Sequence, residues 1–273
     1  MLIDCFTFFN ELKLLQLRLE ETYDAVDYYV LVESIKTFTN QDKELYYQNN
    51  KHLFEKYRHK IIHVIVDDMP EIDTTSDSNW EREKFQRNAI MRGLERLNLK
   101  NDDIIIINDA DEIIKSEVMK YLKGVGVYGL YVLAVDSYIY NLENKCIQSW
   151  PPLRIDCGSR AINYESLIEI GGPDKARNTY LYNKKFYPNG ALNDNLFAWI
   201  IKDAGWHFSY FGDKESIIKK IQGYSHQELN TKDIIDNIED YIKNGKYLSN
   251  EYQTEFIKIE DNTRLPKNYK ILF

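Results

Sequence analysis

Asn108-Asp109-Ala110-Asp111-Glu112 sets two carboxylates at i and i+2 directly after four isoleucines at 104–107. On a loop leaving a buried strand, such acids can converge on one hard divalent cation. Mg²⁺ or Mn²⁺ prefers oxygen ligands and keeps positions open for phosphate oxygens. This is the DxD arrangement with which nucleotide-sugar transferases bridge protein and diphosphate. A short acidic loop can equally be a solvated turn, and it is the apolar run before it that favours the cation. The segment WEREKFQRNAIMRGLERL at 80–97 adds Arg82, Arg87 and Asn88 about twenty residues upstream. A helix there can present them at the same sheet edge, where a planar, always-charged guanidinium suits a diphosphate. Pairing with Glu81 and Glu83 on the helix surface is the competing use of both arginines.

The elements that must position these residues follow from periodicity. LIDCFTF reads as a first strand, and Asn10 as the cap of a helix in which Leu12, Leu15 and Leu19 recur at helical spacing. VDYYVLVES is a second strand, 43–58 a helix, and KIIHVIVDD at 60–68 a third strand. A polar loop at 69–79 leads into a helix at 80–97, then DDIIIINDADE. Strands alternating with helices, each strand a near-continuous apolar run, predict a mostly parallel sheet covered on both faces. Ligands of such sheets bind outside the carboxyl ends of the strands, where Glu33, Asp67, Asp68, Asp109 and Asp111 fall. Beyond residue 125 the chain becomes β-rich, with helices expected at 192–204 and 215–223 and a polar helical tail from 228.

The chain has 273 residues, 35 Lys+Arg against 43 Asp+Glu, and a net charge of −8. That balance lacks the basic footprint of a nucleic-acid binder. No apolar run approaches the roughly 18 residues of a membrane span, and the first residues lack a signal peptide's basic start. Cys5, Cys146 and Cys157 are too scattered for a disulfide framework or a metal knuckle, and the five histidines show no HExxH spacing.

Several longer motifs point to one family. DCFTFFNELKLLQLRLEETYDAVDYYVLVES, WEREKFQRNAI, DDIIIINDADEI, AGWHFSYFG with SHQELN after it, and the terminal LPKNYKILF resemble glycosyltransferase family 17, the bisecting N-acetylglucosaminyltransferases. The match runs in order from residue 3 to the end. The resemblance implies an α/β, Rossmann-like GT-A-type fold, with a mostly parallel central sheet and a β-rich second half. It implies a single domain over 1–273, in which about 1–125 binds the nucleotide sugar and about 126–273 the acceptor. It implies inverting transfer from UDP-N-acetylglucosamine to an oligosaccharide, glycolipid or glycoprotein glycan, assisted by Mn²⁺ or Mg²⁺. The metal-binding pair falls on Asp109 and Asp111, with Asp109 also at the donor. Glu33, Arg87, Trp206, His207 and His226 are further motif positions, with Glu33, Arg87 and Trp206 expected at the donor.

In such a fold the β-rich half folds back over the donor, so His207 or His226 could supply a further metal ligand, and Trp206 could stack on a sugar. Each could equally be structural. Asp194, at the head of the expected helix 192–204, resembles the acidic helix start that deprotonates the acceptor in many inverting GT-A enzymes, although it could simply cap that helix. Glu112 is the competing base, and its neighbours suggest support of the acid loop. With no anchor before a first strand at residue 2, and a composition rich in Ile, Lys, Asn and Tyr, the expectation is a cytoplasmic protein of bacterial or viral origin. Adjacent acids on one loop suit a cation better than a glycoside hydrolase's separated pair. A nucleotidyltransferase, or a nucleotide-sugar or carbohydrate-binding protein without turnover, are the alternatives.

Overall fold

The isoleucines of the acid strand divide between two faces. In the computed structural model, which describes residues 1–71, 76–147, 158–182, 185–187, 198–248 and 253–273, Ile104 and Ile106 pack in one apolar cluster and Ile105 and Ile107 in another. The same alternation runs along the first strand: Leu2, Phe6 and Phe8 point one way, Ile3 and Cys5 the other. This is the period of two of a strand buried on both faces, which makes the sequence read as one apolar run. Leu15 and Leu19 of the helix Leu12–Thr22 and Met119 and Leu122 of the helix Ser116–Val125 cover the first face. Ile90 and Leu94, with Leu167 and Ile170, cover the second.

The strands are β1 (Leu2–Phe8), β2 (Tyr28–Ser34), β3 (Ile61–Val66), β4 (Ile104–Asp109), β5 (Glu112–Ile114), β6 (Leu130–Leu133), β7 (Asp136–Ile139), β8 (Asn144–Cys146), β9 (Arg160–Asn163), β10 (Tyr180–Tyr182), β11 (Lys185–Tyr187), β12 (Ala198–Ile201), β13 (Gly205–Ser209) and β14 (Thr254–Phe256). Among the described residues they form a seven-stranded sheet of order β12-β6-β9-β4-β1-β2-β3, a five-stranded sheet of order β14-β8-β7-β13-β5, and the hairpin β10-β11. In the large sheet only β9 runs antiparallel to its neighbours. The expected mixed α/β architecture, mostly parallel at its centre and β-rich after residue 125, is what the chain adopts.

Ala110 and Asp111 separate β4 from β5, so the acid motif is the corner at which the chain leaves one sheet for the other. β13 docks so closely on β5 that a Cβ at Gly205 would stand 2.0 Å from the Ile113 carbonyl oxygen. A side chain there would push the second sheet off the corner.

Three local expectations are corrected. Residues 43–58 hold only a short helix, Tyr46–Asn49, followed by a 3-10 segment, Lys51–Lys60, kinked at Phe54. Glu11, not Asn10, stands at the first helix's start, and its carboxylate accepts from the Phe9 and Asn10 amides at 3.2 and 3.0 Å. The helix expected at 192–204 is overturned, because Ala198–Ile201 is strand β12, parallel to β6. Its apolar run is too short for periodicity to separate strand from helix, and its β-branched and aromatic residues favour the strand. Asp194 lies outside the described residues.

Candidate active site

Arg18 fixes the acid corner from beneath. Its guanidinium is fully buried, with Nη1 shared by both oxygens of Asp4, Oδ1 at 2.9 Å and Oδ2 at 2.8 Å. Nη2 donates to the carbonyls of Asp109 at 2.7 Å, Ala110 at 3.4 Å and Glu112. Carbonyls that β4 and β5 would leave unpaired between them are thereby satisfied. The Asn108 amide also donates to Asp4, at 2.7 Å.

With its backbone pinned, the corner divides its side chains. Asp109, at the carboxyl end of β4 opposite Thr7, accepts from Arg177 Nη2 at 2.6 Å and lies 3.7 Å from Arg87 Nη2. Burial pushes its carboxyl above the ordinary range, against the pull of Arg177 and Arg87. Asp111 accepts from Lys220 Nζ at 2.8 Å and stands 3.7 Å from His207 Nε2. Burial alone would raise its pKa, but Lys220 and His207 outweigh it and hold the carboxyl below its usual range. The β5–β13 pairing sets His207 opposite Glu112, and the Phe208 amide donates to the Asp111 carbonyl at 2.9 Å. Glu112 is almost fully buried, bidentate with Arg177 (2.8 and 2.9 Å) and bonded by Ser159 Oγ at 2.9 Å. A carboxylate held in this way supports the corner and is badly placed to take a proton from an acceptor.

These groups line a cleft of about 410 Å³ at the carboxyl ends of β1 and β4. Arg87 enters it from the last turn of the helix Ser76–Asn88, pairing with Glu83 and with Asp174 at 2.8 Å. Lys220 comes from the helix Lys214–Gly223 and also faces Glu11 at 3.3 Å. Burial alone would lower the Lys220 pKa, but Asp111 and Glu11 hold it above its ordinary value. His226 and Glu228 complete the lining on the side of the 3-10 turn Gln227–Leu229.

Four expected donor contacts have other employment, and none lines the cleft. Glu33 is buried at the end of β2, where it accepts from the Tyr47 and Gln48 amides and pairs with His63. Arg82 is buried and donates to the Pro70 and Phe38 carbonyls. Asn88 accepts from the Asp174 amide at 3.0 Å, tying two helices together. Trp206 packs in the core and donates its indole N–H to the Arg264 carbonyl. His226 pairs with Glu228 rather than with the acid corner. Arg177, Lys220, Glu11 and Arg18 escaped the sequence reading. Nothing in their local spacing sets them apart as site residues, and only tertiary folding brings them to the corner.

Asp111 and His207 are the side chains of this corner whose chemistry suits a divalent cation. Arg87, Arg177 and Lys220 are each shared by two or more of Glu11, Glu83, Asp109, Asp111, Glu112 and Asp174. At metal–ligand distances of about 2.1 Å, octahedral donors are spaced about 3.0 Å when cis and about 4.2 Å when trans. The 3.7 Å between Asp111 Oδ1 and His207 Nε2 matches neither spacing, so the two side chains would have to close on each other to chelate one cation. Asp109 would join only by loosening its hold on Arg177. No cluster of three or more ligating side chains is already assembled among the described residues.

Fold and site together define an α/β protein with an acid-lined, arginine-edged cleft at the ends of its parallel strands. Residues 1–165 match the family model for Glycosyltransferase family 17, and the chain belongs to that family. Over 229 residues it is 32% identical to the human "Beta-1,4-mannosyl-glycoprotein 4-beta-N-acetylglucosaminyltransferase", covering 78% of this chain and 41% of that one. It is 31% identical to the mouse protein of the same name, covering 78% of this chain and 40% of that one. The chain thus spans about two fifths of the length of these curated relatives. Looser likenesses in structure run to HddC from Yersinia pseudotuberculosis (12% identity, TM-score 0.38, 74% of this chain and 90% of that one). They extend to glucosyl-3-phosphoglycerate synthase from Mycobacterium tuberculosis with Mn²⁺, UDP and phosphoglyceric acid (11%, TM-score 0.38, 99% and 91%). The curated relatives are mammalian, which overturns the expectation of a cytoplasmic chain of bacterial or viral origin. No helix among the described residues is long and apolar enough to cross a membrane.

Proposed function

We propose that this chain transfers N-acetylglucosamine from UDP-N-acetylglucosamine to a carbohydrate hydroxyl, with inversion to a β-linkage and with the help of Mn²⁺ or Mg²⁺. The observation that carries the reading is the acid corner at the end of β4, where Asp109 and Asp111 stand side by side in a cleft edged by Arg87. Family membership and the relatives' printed activity, a 4-β-N-acetylglucosaminyl transfer, support it. A β-product from an α-linked nucleotide sugar requires attack from the face opposite the leaving group.

Asp111 and His207 would hold the cation, with Asp109 beside them. When bound, the cation neutralises charge developing on the departing diphosphate. The chain's own residues supply the rest. Arg87 is placed to meet a phosphate oxygen, Arg18 and Arg177 keep the corner rigid, and the first half holds the nucleotide while the second presents the acceptor. Scoring UDP release from a panel of UDP-sugars with Mn²⁺ tests the reading. N-acetylglucosamine should be preferred, and no UDP release from any donor would reject the proposal.

Lys220 acts as the resident counter-ion of Asp111, so it should compete with an added cation. Lys220→Met keeps most of the stem and removes the charge. It is expected to tighten Mn²⁺ binding without nucleotide by roughly tenfold, about 1.4 kcal/mol. Titration followed by the Mn²⁺ paramagnetic resonance signal would measure it, and unchanged affinity would show that Lys220 does not compete.

A further inference from the structure

Inverting transfer needs a proton acceptor, and the cleft narrows the choice. Among the described residues, each carboxylate at the corner is already committed. Glu11 accepts from two backbone amides, Glu83 is paired with Arg87, and Asp109 and Glu112 are held by Arg177. Asp111 is held by Lys220. Both ring nitrogens of His207 face partners, Nε2 toward Asp111 and Nδ1 toward Ser137 Oγ at 3.4 Å.

His226 differs. Its Nδ1 lies 2.5 Å from Glu228 Oε1, and among the described residues its Nε2 has no hydrogen-bond partner. A carboxylate on one imidazole nitrogen keeps the proton there and leaves the lone pair on the other. The ring is fixed by two aromatic neighbours. Trp80 meets it edge-on at 4.6 Å, and Tyr224 lies tilted at 5.4 Å. Gln227, between the two partners, anchors the turn through Nε2 to the Ile221 and Tyr224 carbonyls at 3.0 and 2.7 Å. The His226 and Glu228 side chains are 48% and 63% exposed, open to an incoming acceptor, and both line the same cleft as the acid corner.

We infer that His226, oriented by Glu228, is the base that activates the acceptor hydroxyl. The inference rests on the transferase reading above. The acceptor oxygen forms a bond to the anomeric carbon as its proton passes to His226 Nε2. The bond from that carbon to the β-phosphate oxygen breaks, and its electron pair leaves with UDP. His226 is the catalytic residue of this step and Glu228 a positioning residue. Among the described residues, the titratable groups around the ring are Glu228 on its own turn and Tyr224, which itself feels Tyr210, Tyr247, Glu228 and Glu83.

The test uses the full chain with Mn²⁺, UDP-N-acetylglucosamine and a β-mannosyl oligosaccharide. His226→Ala should lower turnover at least about a hundredfold, as expected of a general base. UDP affinity should stay within about twofold of wild type, and added imidazole should restore part of the rate. Glu228→Gln should cost less and should move the acidic limb of the pH–rate profile. If His226→Ala keeps more than about a tenth of the turnover, the dyad is not the base while the transferase reading stands. A loss that extends to UDP binding and resists imidazole would also overturn the assignment. Absence of turnover in the wild-type chain would instead overturn the transferase reading, and the dyad with it.

Discussion

Arg18→Met is expected to cost roughly 3–5 kcal/mol of stability, the range for breaking a buried ion pair from one side. Arg18 and Asp4 are both fully buried, and their two-point contact leaves the Asn108 amide as the other side-chain donor to Asp4. Methionine would preserve the contact with the Phe6 ring, over which the guanidinium carbon stands at 4.3 Å. It would leave the Asp4 carboxylate without its cation, and the carbonyls of Asp109, Ala110 and Glu112 without their shared donor. Urea unfolding should show a lower midpoint with little change in slope. Adding Asp4→Asn should recover a large part of the loss, because removing both partners also removes the desolvated charge. A single-variant loss below about 1 kcal/mol would mean that the pair is not what secures the corner.

The parts of this site that were legible in the sequence are local, and the parts that were not are contributed from a distance. Four isoleucines followed by acids identify a doubly buried strand and its carboxyl end, and β4 with Asp109 and Asp111 stands there. Arg87 was legible for the same reason, on a helix that the strand–helix–strand pattern carries to that edge. Glu33 shows the limit of the argument. It too is an acid at a strand end, but the amides of Tyr47 and Gln48 satisfy it, and no ligand is needed to explain its burial. Arg18 sits in a helix whose buried positions include Leu14, Leu15, Leu17 and Leu19, so its sequence neighbours do not reveal that it faces inward. Arg177 and Lys220 reach the corner from short polar helices more than sixty residues further along the chain. Electrostatic pairing over such separations leaves no periodic trace. The failure at 192–204 is of another kind, since a short apolar run specifies burial before it specifies helix or strand.

The same division predicts unequal roles for the two acids. Asp109 shares Arg177 with Glu112, so Asp109→Asn leaves that guanidinium bidentate on a remaining carboxylate. Asp111 has no such deputy. Its oxygens face Lys220 on one side and His207 on the other, so it joins the resident cation to the position proposed for the metal. Asp111→Asn keeps the shape and removes the charge. Lys220 would retain Glu11 at 3.3 Å, so the fold should survive with a loss of roughly 1.5 kcal/mol, the low end for one hydrogen bond to a charged group. In the wild-type chain the carboxyl is held below its usual range. Its stabilising contribution is therefore present above the unfolded-state pKa and disappears as pH falls through the lower folded value. Metal-dependent nucleotide binding should respond far more strongly than stability. Mn²⁺-dependent UDP affinity is expected to fall by about a hundredfold or more in Asp111→Asn, equivalent to roughly 3 kcal/mol, and by less in Asp109→Asn. Calorimetric titration of UDP with and without Mn²⁺ measures both variants on one scale. Equal UDP affinity with and without Mn²⁺ in the wild-type chain would remove the metal from the account of this corner. A larger loss in Asp109→Asn than in Asp111→Asn would place the cation on the Arg177 side of it.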